Sequence, residues 1–121
     1  MLSYIFAFVI LTIVLIGNIL GPEITHISMR YYDSILHMLA GAGLGFFILA
    51  LMSTLKLGRW RTIFDVTFGM LLLGIIWELF EIYFNITGYE LWSTMYYFDT
   101  VKDLILDVVG AALVAFIIIK K

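Results

Sequence analysis

A chain of 121 residues has room for one domain, and at 64% hydrophobic against 13% charged it lies far from a soluble average. The net charge of −2 points to no particular partner, and the lack of a basic run argues against nucleic acid; with no cysteine there is neither a disulfide nor a thiolate metal site. The apolar residues come in long blocks, as in an integral membrane protein.

The first block, Leu2–Leu20, lacks a basic n-region and an A-x-A cleavage site, so it reads as a retained helix rather than a signal peptide. Gly21-Pro22 is expected to end it. The second block runs from about Tyr31 to Leu55, followed by the tight basic turn Lys56–Arg61. The third runs from about Thr62 to Phe84, the segment Asn85–Tyr97 is a loop, and the fourth block runs from Phe98 to Ile119. The short alternating segments of a membrane barrel are absent. The expected fold is therefore all-α, an integral membrane four-helix bundle. It forms a single transmembrane domain over 1–121, with helices at about 2–20, 31–55, 62–84 and 98–119.

Four spans place the N-terminus, the 56–61 turn and the C-terminus on one side. That side holds Lys56, Arg59, Arg61, Lys120 and Lys121, against Arg30 and Lys102 on the other. Basic residues accumulate in the cytoplasm, so a multi-pass cell-membrane protein with both termini cytoplasmic is expected. Tyr89, Trp92, Tyr96 and Tyr97 suit the outer interface. Gly41 and Gly45 form a G-x-x-x-G on the second helix, and Gly110, Ala111 and Ala112 lie on the fourth. Small residues of this kind let membrane helices approach closely, and Gly69 and Gly74 are read the same way.

The polar residues form stripes. Asp33 and His37 are four apart on the second helix, Glu78 and Glu81 three apart on the third, and Asp99, Asp103 and Asp107 four apart on the fourth. Positions three or four apart share a helix face, and the three aspartates span an arc of roughly 80°. Chain direction puts all seven in the outer half of the membrane, as a polar cup. Six carboxylates and one imidazole there must pair, protonate or bind metal, because burying unpaired charge is prohibitive. Carboxylates with one histidine suit a divalent metal ion: Mg²⁺, Mn²⁺, Ca²⁺, Fe²⁺ or Zn²⁺.

Plainer readings stand beside this one. Asp99 and Asp33 lie near helix starts and could be caps. His37 could bond a carboxylate without metal. Glu78 and Glu81 lie at a helix C-terminus, where negative charge is disfavoured, and resist such a reading. Trp77 reads as packing or an interface anchor, Asp65 as the surface partner of Arg61, and Glu23 and His26 as solvated loop residues. H-E-x-x-H, G-x-S-x-G, P-loop and G-x-G-x-x-G motifs are all missing.

"YDSILHMLAG", with Asp33, His37 and Gly41, resembles the D-x-x-x-H opening of VanZ-like and YjdF-like small membrane proteins. "WELFEI", with Trp77, Glu78 and Glu81, resembles the W-E-x-x-E segment of the YjdF-like group. "FDTVKDLILDVVGA", with Asp99, Asp103, Asp107 and Gly110, resembles that group's closing segment. The similarity covers about residues 31–115 and implies a helical membrane protein whose polar residues gather in one half. It supplies no reaction. VanZ-like proteins are associated with glycopeptide resistance and so with the cell envelope.

Three functions stay open on these residues. The first is a metal-binding membrane protein acting on lipid or polyprenyl headgroups, with membrane lipids as partners. The second is a cation or proton transporter, for which the inner half offers only Ser53, Thr54, Asp65 and Thr67. The third is an accessory subunit of a larger membrane complex, or a homo-oligomer, with the cup as a structural site.

Overall fold

In the computed structural model, residues 2–24 and 29–119 are described, apart from the side chains at 21–24 and 29–30. The expectations for the side chains of Glu23, His26, Arg30, Lys120 and Lys121 fall outside these. Four helices follow in order: α1 (Leu2–Ile24), α2 (Met29–Met52), α3 (Arg59–Phe84) and α4 (Thr94–Ile118). There is no strand among the described residues. The first three are long and apolar enough to cross a membrane. The fourth matches them at 25 residues, about 37 Å at 1.5 Å per residue, and carries its charges between Asp99 and Asp107, ahead of an uncharged stretch to Ile118. The protein is an all-α integral membrane bundle.

The helix ends differ from the expected ones for local reasons. Helix α1 continues through Gly21-Pro22 to Ile24. A proline disfavours helix at the preceding residue partly through that residue's Cβ, which Gly21 lacks. Helix α3 starts at Arg59, so both arginines of the basic turn belong to its first turn, and Arg61 pairs with Asp65 at 2.8 Å as expected. It ends in a left-handed Asn85 (φ 56°), with N–H groups of Asn85 and Ile86 satisfying the carbonyls of Ile82 and Glu81. Ser93 caps α4 by accepting the Tyr96 N–H at 3.2 Å, so α4 begins at Thr94.

Asp33 lies more than a turn inside α2 and is not a cap. The early start of α4 likewise puts Asp99 more than a turn inside its helix, where it is not a cap. It also turns Tyr96 inward to 5% exposure, away from the interface expected for it, while Trp92 and Tyr97 stay exposed beside it.

The helices stand in the order α1, α2, α4, α3. The α2–α4 seam is the most extensive contact; α1 packs on α2 and α3 on α4, with a smaller α2–α3 contact. Among the described residues α1 makes no close helix contact with α3 or α4. Apolar side chains such as Ile5, Phe8 and Ile13 are exposed on it, as lipid-facing residues of a membrane helix would be, and Leu15 is exposed toward the gap beside α3. The half of the bundle nearer the chain termini is filled by Leu49, Val66, Met70, Ala111 and Ala115.

Candidate functional site

The site is built on the α2–α4 seam. A methyl group on Gly41 would overlap the backbone carbonyl of Asp107, and one on Gly110 would overlap that of Met38. At Gly45 it would come within 2.9 Å of the Ala111 Cα. Only glycine allows backbones this close, so the small residues set the crossing. Of the two glycines expected to pack α3, Gly74 meets Leu104 and the Asp107 carboxylate, whereas Gly69 touches only Ile48, at ordinary van der Waals distance.

His37 lies one turn from Gly41, so the crossing brings its ring against Asp107: Nδ1 is 3.2 Å from Asp107 Oδ1. Nε2 points the other way, 3.7 Å from both Asp33 Oδ1 and Asp103 Oδ2. Lys102 takes the remaining oxygens, with Nζ 3.3 Å from Asp33 Oδ2 and 3.1 Å from Asp103 Oδ1. The Asp103 contact is an ion pair without hydrogen-bond angles, since Oδ1 is buried with no hydrogen-bond partner. Lys102 also bonds Asp99 at 2.8 Å. Asp33 and Asp103 each therefore share their oxygens between an ammonium and an imidazole. Asp103 and Asp107 are buried, while Asp33 and Asp99 are partly exposed at the mouth.

The acids of α3 are held separately. Glu78 is buried and accepts from Thr100 Oγ1 at 2.9 Å, within electrostatic reach of His37, Asp99 and Asp107. Glu81 accepts from the Trp77 indole N–H at 2.9 Å. All seven expected residues thus gather at one end of the bundle, with Asp33, Asp99, Asp103 and Asp107 each in direct contact with His37, Lys102 or both. Sequence reasoning missed Thr100 and the hydrogen-bonding part of Trp77, and it counted Lys102 among the basic residues of its side of the membrane, not as the centre of the cluster. The i, i+3 step from Asp99 to Lys102 was the available signal.

A cavity of about 480 Å³ opens beside the cluster, where α1 and α3 stand apart. Asn18, Asp33, His37, Glu81 and Asp107 line one end; Leu11, Leu44, Met70 and Leu73 line the other. From Asp33 to Leu44 the depth is about 16 Å along α2.

One ligand atom each from Asp33, His37 and Asp103 falls within 4.8 Å of the others. The 3.7 Å separations at Nε2 are too long for hydrogen bonds. They are near the ~3.4 Å donor spacing that bonds of about 2.1 Å produce around a tetrahedral ion. An Nδ1–H donated to Asp107 would leave the Nε2 lone pair facing this triangle, an arrangement common behind metal-bound histidines. The donor set fits a hard or borderline divalent ion.

No curated protein and no solved structure matches the chain. The model of a family described as "Predicted membrane protein (DUF2238)" matches residues 1–120, and with that coverage the chain belongs to this family of membrane proteins.

Proposed function

We propose that the protein is a metal-dependent membrane protein that binds and acts on the polar head of a lipid or polyprenyl substrate at the outer face of the cell membrane. The observation that carries this reading is the cavity, whose one end carries residues of the acidic cup and whose other end is apolar. Asp33, His37 and Asp103 would hold the ion, Asp107 would orient His37, and Lys102 would offset the aspartates. A metal held there would polarise the headgroup or activate water for hydrolysis or transfer. Glu81, on the cavity wall, is placed to take a proton.

Transport is the weaker reading. Below the cup the bundle is closed by Leu49, Val66, Met70, Ala111 and Ala115, and the hydroxyls of Ser53 and Thr67 bond carbonyls of their own helices. The kinship with the YjdF-like group rests on the motifs around Asp33, Trp77 and Asp99. The outward orientation rests on the excess of Lys and Arg at the termini and the 56–61 turn.

Elemental analysis of the purified protein should find about one divalent ion per chain, lost in His37→Ala and Asp103→Asn variants that remain folded. A metal-free wild type after purification in metal-replete buffer would refute the metal reading. A reporter fused after Lys121 should read cytoplasmic, and an external signal would invert the cup.

A further inference from the structure

The polar end of the cavity has a strong charge imbalance. Asp33, Glu81 and Asp107 line it, with Glu78, Asp99 and Asp103 packed in the same cluster, which makes six carboxylates, and among the described residues Lys102 is the ammonium in contact with them. With all six ionised, one ammonium and one divalent ion would still leave three negative charges. Protonation of two acids would leave the end negative. A phosphate head brings more negative charge into this partly desolvated space, where Coulomb repulsion is poorly screened. A cationic head brings the missing sign.

The wall beside the acids has a second feature suited to a cation. Trp77 and Phe80 line the cavity and stack on one another, with ring centroids 5.3 Å apart. The indole N–H is bound to Glu81, which places a carboxylate beside the aromatic faces. A carboxylate with aromatic faces is a recurring environment for alkylammonium groups, through charge and cation–π attraction. The apolar end, lined by Leu11, Leu44, Met70 and Leu73, suits an aliphatic chain, and the separation of α1 from α3 gives that chain a lateral way in from the bilayer.

We infer that the cavity selects an amphiphile with an alkylammonium head and an aliphatic chain, the head against Trp77, Phe80 and Glu81 and the chain running toward Leu44 and Met70. This deepens the proposed function by naming its substrate class, and it rests on the reading that the cup meets a headgroup.

The test uses Trp77 as reporter. The full chain carrying Trp60→Phe and Trp92→Phe is placed in nanodiscs of a neutral diglycosyl diacylglycerol, a lipid without an ammonium or phosphate head. It is titrated with a brominated long-chain trimethylammonium probe and with a brominated alkyl phosphate of the same chain length. Trp77 fluorescence should be quenched saturably by the ammonium probe at a concentration at least tenfold lower than by the phosphate. A protein retaining only Trp60, at the opposite end of the bundle, controls for general partitioning and should show no such preference. Ala40→Phe and Leu15→Phe, which fill the cavity from α2 and α1, should abolish saturable quenching, and Glu81→Gln should reduce the preference.

Equal affinity for the two heads, a preference for phosphate, or quenching that never saturates would overturn the inference. Metal content measured on the same samples separates the two claims. Bound metal without ammonium selectivity would sink the inference and leave the metal site standing. Selectivity in a protein that purifies metal-free from metal-replete buffer would sink the metal site and leave the inference standing.

Discussion

The α2–α4 seam and the gap between α1 and α3 lie at the same depth and are built oppositely. In the seam, Gly41, Gly45 and Gly110 bring two backbones into contact and bury Asp103 and Asp107 between them. Across the gap two apolar helices stand apart and leave a cavity. The seam fixes where the charged groups sit, because polar groups removed from water need partners held in place. The gap needs no such accuracy, since lipid or a ligand chain can fill it. A rigid polar pair of helices flanked by two looser apolar ones gives a site that is preorganised on one side and accessible on the other.

The largest effect is expected where the seam is tightest. Gly41→Val should lower stability by about 3 kcal/mol, because the side chain meets backbone that cannot move aside. Thermal unfolding in detergent measures it, and Gly69→Ala, with only Ile48 nearby, should leave the melting temperature unchanged. Equal effects at the two glycines would mean that the seam is not the rigid element.

Lys102→Met comes next. It strips Asp33, Asp99 and Asp103 of their shared ammonium and should destabilise by roughly 3 kcal/mol, less if bound metal takes over its part. Unfolding with and without chelator would separate these contributions.

Asp107→Asn should weaken metal binding by about tenfold to a hundredfold, the range for loss of a group that supports a ligating histidine. Asp99→Asn, at the mouth and in contact with Lys102 rather than His37, should change it much less. Equal and negligible changes at both positions would remove the metal from the account and favour a structural role for the cup.

Thr100→Val, which takes the hydroxyl from Glu78, should cost about 1 kcal/mol. Leu15→Ala on the open face of α1 should stay within about 0.5 kcal/mol of wild type in the same unfolding assay. A Leu15 effect as large as that of Thr100 would show the gap to be packed after all.

Helical periodicity alone gathered the acids into stripes, and chain direction put those stripes at one end, because a carboxylate in a membrane helix has few places to face other than its own kind. The G-x-x-x-G of α2 and the small residues of α4 were also legible, since close approach in lipid depends on residue size. Which partners meet was not. Lys102 looked like a neighbour of Asp103 in sequence, yet it bonds across to Asp33, and Thr100 reaches Glu78 on another helix. Such contacts depend on the rotation and crossing of whole helices, which no single stripe encodes. The separation of α1 from α3 was still less visible: both helices are apolar over most of their surface, and to such a helix lipid and protein neighbours are nearly equivalent. Only the tertiary packing, through the seam that draws α2 and α4 together, decided that a cavity would form beside the acids.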